Sequence, residues 1–221
     1  MNKAPDFSLD NRLALCAEFV RDGAKIADIG TDHAYLPVWL CRIGRCASAI
    51  AADINPLPLE RGIETINNSG LADKIEARLS NGLDKISENE ADDIIIAGMG
   101  GELISRIMES WEFSKNPSKH FILQPMTKSE ELIKWLFENG YKILKRDCCV
   151  AADKCYTVIL AEYCGQNQQK DETDFYLEGL DPANNPLHKK FIEGCVCRLK
   201  KKAKGDLHYA EVARRLEESF R

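Results

Sequence analysis

Long apolar runs are missing from this 221-residue chain. Ile94–Ala97 is far shorter than the roughly 20 residues a membrane span requires, so no transmembrane helix is expected. The opening residues Met1 to Asp6 carry no apolar segment and no cleavage signal, and export is not expected either. Among nine cysteines there is no CxxC pair. Cys148-Cys149 and Cys195-Val-Cys197 lack the partner spacing of a zinc site, so no metal is expected. Those thiols are expected to be reduced, mostly buried small hydrophobes of a cytoplasmic protein. No internal repeat is present. What remains is ordinary globular composition: 44% hydrophobic and 29% charged residues exclude global disorder. The length holds one α/β domain and a small appendage, not two full enzyme domains.

Net positive charge is also lacking, at −5 for the whole chain, which by itself argues against a nucleic-acid partner. The distribution argues otherwise. Residues 186–221 hold ten basic side chains, among them Lys200, Lys201, Lys202, Lys204 and Arg221, against five acids, leaving −10 on residues 1–185. Such asymmetry marks either an attached module that meets a polyanion or a solvated helix face.

Strand-like and helix-like segments alternate from Ser8 to Asn139. Lys25–Gly30, Cys46–Ile54, Lys74–Leu79, Asp92–Ala97 and Lys119–Gln124 read as strands, the fourth apolar enough to be buried on both faces. Ser8–Arg21, Ala34–Ile43, Pro56–Ser69, Gly101–Glu109 and Ser129–Asn139 read as helices. Tyr141–Val150 and Lys154–Tyr163 suggest a closing hairpin. The pattern predicts a doubly wound α/β sheet with an antiparallel last strand. Residues 165–185 are polar and irregular and read as a linker between a body at 1–164 and a helical hairpin at 186–221.

In an open α/β sheet ligands bind at the carboxyl ends of the strands. The first such loop, Asp28–Tyr35, offers Asp28, Gly30, Thr31, Asp32 and His33. A dinucleotide site would place further glycines after Gly30 to cradle a pyrophosphate. Here carboxylates stand instead, and they would repel it. The ammonium and sulfonium of S-adenosylmethionine suit that charge better. Asp53, followed by Ile54, closes the second strand about 20 residues on, where a carboxylate accepts ribose hydroxyls. After the third strand, Asn81 and Gly82 precede Leu83, with Asn81 expected at an adenine edge and Leu83 at its face. Ala97, Gly98 and Met99 open a glycine-rich loop against which a flat base can lie. Gln124 and Pro125 form another wall. Each feature alone has a structural explanation as a turn, a cap or tight packing; their recurrence in consecutive strand order points to one site.

The runs DIGTDHAYLP (Asp28–Pro37), IAGMGG (Ile96–Gly101) and LQPM (Leu123–Met126) resemble the bacterial tRNA (adenine(22)-N1)-methyltransferase family. The resemblance covers about Leu9 to Tyr163 and extends more loosely into the C-terminal helices, with most departures in 164–186. It implies a Rossmann-like seven-stranded class I methyltransferase sheet followed by a small coiled-coil-like helical domain that helps hold tRNA. It also implies S-adenosylmethionine as cofactor, tRNA as partner, and no obligate protein partner. Asp28, Gly30, Thr31, His33, Asp53, Ile54, Asn81, Gly82, Leu83 and Ala97 are then expected to bind cofactor. Asp32, Gly98 and Met99 are expected at the chemistry, and Arg12, Gln124, Pro125, Lys200, Lys201 and Lys202 at the tRNA. Rival readings are a class I methyltransferase acting on another RNA, a protein or a small molecule, and a cofactor-binding RNA module without turnover. A nicotinamide dehydrogenase is a third, contradicted by Asp32 where a phosphate would lie.

Overall fold

A computed structural model describes residues 7–220; the export reading of the first six residues and the cation at Arg221 lie outside them. The sheet has seven strands in the order β3-β2-β1-β4-β5-β7-β6. These are β1 (Ala24–Ile29), β2 (Cys46–Asp53), β3 (Ile75–Leu79), β4 (Asp93–Gly100), β5 (His120–Thr127), β6 (Tyr141–Ala151) and β7 (Lys154–Tyr163). The first five are parallel, and β7 runs antiparallel to both β5 and β6, as the hairpin pattern predicted.

Alternation along the central strands divides the core into two layers, because successive side chains leave a strand on opposite faces. Ile26, Ile95 and Ile122 pack with residues of α1 (Asn11–Phe19), α2 (Tyr35–Arg42) and α3 (Pro56–Asn68). Ala27, Ile29, Ile94, Ile96, Phe121 and Leu123 pack with α4 (Gly101–Ser110) and α5 (Ser129–Glu138). Ile94, Ile95 and Ile96 are fully buried, the mark of a strand covered on both sides. Asp10 caps α1, accepting from the Arg12 and Leu13 N–H groups.

Two expectations need correction. Strand β4 does not stop at Ala97: it continues beside β5 to Gly100, and α4 starts at once. Ala97 pairs with Gln124 and Met99 with Pro125, so Gly98 is the extra residue of a β-bulge, with φ +79°. The expected glycine loop is therefore a bulged strand, and Pro125 and Met126 belong to β5 rather than to a loop. Gly101 is held to glycine by packing, since a Cβ there would stand 2.2 Å from the Lys128 carbonyl oxygen.

The second correction concerns 165–185. It contains a helical turn, α6 (Asp174–Leu177), and buried Tyr176. Arg146 of β6 is 3% exposed and donates through Nη1 to the carbonyls of Tyr176 and Glu178 and through Nε to Thr157 Oγ1. Beyond lie α7 (Pro186–Lys202) and α8 (His208–Glu218), whose Phe191, Ile192, Leu199, Val212 and Leu216 make a third core closed by Cys148 and Tyr176. His188 fixes α7 to the sheet. Its Nδ1 accepts from the Asp181 N–H, so Nε2 carries the proton toward Asp147 Oδ1, 2.9 Å away. All nine cysteines are free thiols, six of them buried. No helix among the described residues is long and apolar enough to cross a membrane.

Candidate active site

Strand ends β1, β2 and β4 and the loop after β3 converge on a cavity of about 610 Å³, a volume typical of cofactor pockets. Asp28 and Asp53 stand at the ends of their strands and are only 5% and 8% exposed. Asp28 Oδ2 accepts from Thr31 Oγ1 at 2.6 Å, and Asp53 Oδ1 accepts from the Asn55 N–H at 2.7 Å. Neither makes an ion pair among the described residues. Burial pushes the Asp28 carboxyl up to about 6, against a lowering by Thr31, and the negative charge of Asp53 adds to the rise.

The turn after β1 is tightly wound. Gly30 has φ +77° and places its N–H, like that of Thr31, on the Ala52 carbonyl. A Cβ on Gly30 would meet Met99 Cε at 2.3 Å, so Met99 lies over this turn. Asp32 and Ala34 follow with φ +48° and +56°, conformations that non-glycine residues adopt at a cost of order 1–3 kcal/mol. The twisted loop points Asp32 outward and sets His33 Nε2 3.7 Å from its carboxylate. The His33 ring stacks on Tyr35, with centroids 5.2 Å apart.

The cavity brings together most of the residues singled out from the sequence. Its wall includes Asp28, Gly30, Thr31, Asp32 and His33 of the first loop. Asp53 and Ile54, then Asn81 and Gly82, and finally Ala97, Gly98 and Met99 complete three more sides, and Arg12 stands at the edge. Other expected residues fall elsewhere. Leu83 is fully buried in the core with Ile86, Ile94 and Ile96, so its side chain forms no wall. Gln124, also fully buried, is not a surface contact: its Oε1 accepts from the Gly98 N–H at 3.1 Å and from Arg12 Nη1 at 3.2 Å. The amide thus takes the strand hydrogen bond that the bulge leaves open. Pro125 lies on a second cavity, with Lys202. Lys200 and Lys201 are exposed on α7, away from both cavities.

Sequence reading missed Asp10, Tyr35, Asn55, Leu103 and Ile107, which also line the site. Asp10, the cap of α1, holds Arg12 in an ion pair of 2.7 Å. Four aspartates therefore face one guanidinium that is already paired, and the cavity suits a ligand with positive charge.

A methyltransferase domain model matches residues 9–159, over half of the chain. The chain belongs to the methyltransferase-domain family. This methyltransferase is 36% identical to the Bacillus subtilis tRNA (adenine(22)-N(1))-methyltransferase over 157 residues, 71% of the chain and 66% of that relative, just under two thirds of its length. Streptococcus pneumoniae Sp1610, solved in complex with S-adenosyl-L-methionine, superposes with TM-score 0.87 at 29% identity, covering 97% of this chain and 100% of that one. Mycoplasma capricolum TrmK, solved with S-adenosyl-homocysteine, gives TM-score 0.78 at 26% identity over 96% of each chain. The resemblance carried by DIGTDHAYLP, IAGMGG and LQPM is borne out by these relatives, and so is the seven-stranded methyltransferase sheet.

Proposed function

We propose that the chain transfers a methyl group from S-adenosylmethionine to N1 of adenine 22 in tRNA. The observation that carries the reading is the pair Asp28 and Asp53: buried carboxylates at strand ends, without an ion pair among the described residues, in a cavity walled by the Gly98 bulge. Uncompensated buried carboxylates suit a cationic amino-acid moiety and ribose hydroxyls and disfavour a pyrophosphate. The names of the Bacillus subtilis relative and of the cofactor-bound neighbours support the substrate and the cofactor.

When bound, S-adenosylmethionine supplies a methyl on a sulfonium, which passes in line to the N1 lone pair and leaves the adenine ring positively charged. Adenine N1 is neutral and has its own lone pair, so no side chain need remove a proton before attack. The protein's task is alignment, which can contribute roughly 7–11 kcal/mol, together with stabilisation of the developing positive charge. Asp28 and Asp53 hold the cofactor, assisted by Thr31, Ile54, Asn81 and Gly82. Gly98 and Met99 offer main-chain acceptors to adenine N6, and Asp32 sets a carboxylate beside the ring. His33, stacked on Tyr35, forms the rim by which a base enters.

N1 lies on the Watson–Crick edge, so the nucleotide must be splayed out of its stack, at a cost of a few kcal/mol. Phosphate contacts from the helical unit at 186–221 offset that cost, with the body at 1–164 doing the chemistry. This reading places the protein in the cytoplasm, with tRNA. Incubation of unmodified tRNA with the chain and S-adenosylmethionine, followed by nucleoside mass spectrometry, should yield 1-methyladenosine, and an A22→G transcript should not. Methyl transfer to protein extract but not to tRNA overturns the reading.

A further inference from the structure

A second cavity, of about 420 Å³, opens between the carboxyl end of β5, the start of β7 and the inner face of α7. Its floor includes Met126, Tyr156, Phe191 and Leu199. Four cationic side chains reach it from β7, α7 and the turn before α5: Lys154, Arg198 and Lys202, and Lys128, against one acid, Glu130. Lys128 is taken by Glu102 at 2.6 Å. The other three make no ion pair among the described residues; Arg198 rests on Cys195 Sγ and Lys202 on the Tyr209 ring. Elsewhere in the C-terminal unit Lys200 pairs with Glu217, Arg214 with Glu211 and Glu218, and Arg215 with Asp171, while Lys189, Lys190, Lys201 and Lys204 make no ion pair among the described residues and do not line the groove.

Only a thin partition separates this groove from the acidic cavity. Arg12 lines the first cavity, while its guanidinium lies 5.7 Å over the Tyr156 ring and 3.3 Å from Met126 Sδ, both of which line the second. Arg12, Tyr156 and Met126 thus form a wall common to both cavities. We propose that this groove is the seat of the RNA strand flanking the methylated nucleotide, its phosphodiesters held by Arg198, Lys202 and Lys154. The assignment rests on tRNA being the substrate. It moves the expected contact from the exposed run Lys200–Lys202 to the inner face of α7, with Lys202 alone shared. A polyanion fits the three unpaired cations, and continuity with a site for a flat base selects RNA over an acidic peptide.

The test compares two charge-matched double variants of the full chain on unmodified tRNA transcript: Arg198→Gln/Lys202→Gln in the groove, and Lys204→Gln/Arg214→Gln outside it. Binding is measured by titration between 50 and 200 mM salt, as is the affinity for S-adenosylmethionine. The groove pair should weaken tRNA binding by about tenfold or more and lower the salt slope by roughly two, each phosphate contact contributing about one. The outer pair should weaken it less than about threefold, and cofactor affinity should hold in both. Equal losses in the two pairs overturn the assignment. Should the groove pair also lose cofactor affinity or thermal stability, Lys154→Gln at the exposed hairpin end replaces it, with a two- to fivefold loss expected and none overturning the proposal. Failure of the methylation reading is seen separately: an unsubstituted chain that binds tRNA through the groove yet forms no 1-methyladenosine sinks that reading and leaves this one standing.

Discussion

Asp93 and Asp28 lie on the adjacent strands β4 and β1 and are 0% and 5% exposed, but the protein treats them in opposite ways. Asp93, at the amino end of its strand, receives Arg21: Nη2 stands 2.6 Å from Oδ1, Nε donates to the same oxygen, and the Arg21 main-chain N–H donates to Oδ2. Asp28, at the carboxyl end, receives one hydroxyl and faces a second carboxylate. One end of the sheet is electrostatically complete. The other is left short of a positive charge. A buried carboxylate without a cation is destabilising unless something outside the chain completes it, so the contrast sets a paired charge against one that a cationic ligand would complete.

Asp28→Asn should break that contrast most strongly. Loss of the carboxylate is expected to lower S-adenosylmethionine affinity at least a hundredfold in calorimetry without lowering the thermal midpoint. Folding raises this carboxyl's affinity for its proton, so ionisation works against the folded state as pH rises from about 4 to about 6. The penalty is about 3 kcal/mol at most, and asparagine removes it. Asp93→Asn should do the reverse, costing about 2–3 kcal/mol in denaturant unfolding while the folded fraction keeps its cofactor affinity. If both variants destabilise alike, the distinction between the two ends fails.

Gln124→Leu sharpens the comparison at the rim of the site. It leaves the Gly98 N–H without its acceptor and frees Arg12, while Asp28 and Asp53 are untouched. A fall in kcat of about ten- to thirtyfold is expected from an unpaired group worth 1–3 kcal/mol, with rescue by Gln124→Glu, which keeps an acceptor for both donors. A loss in stability alone, with kcat intact, would make the amide purely structural. The smallest effect is that of pH. Cofactor affinity should be flat above neutrality and decline by up to tenfold per pH unit below about 6, as Asp28 takes a proton. Asp28→Asn should abolish the dependence.

Asp28, Gly30 and Asp53 were legible in the sequence because strand, turn and terminal acid follow one another along the chain. The order of parallel strands then places them side by side. Features that depend on partners distant in sequence were not legible. The Gly98 bulge exists only relative to the register of β5, so IAGMGG read as a loop. Gln124 looked like a surface contact because an amide at a strand end has the same pattern whether it points outward or bonds back across 26 residues to Gly98. Leu83 follows an Asn-Gly turn, and the direction of that turn decides whether its side chain meets the cavity or the core. The basic tail was visible as composition, whereas the pairing of Lys200 with Glu217 on the next helix was not, and it is pairing that decides which cations stay available.

Arg146 joins β6 to the carbonyls of Tyr176 and Glu178, and His188 joins α7 to β6. Together they act as the locked joint of a caliper. The span between groove and cavity is thus set by contacts of β6 with the segments that carry α7.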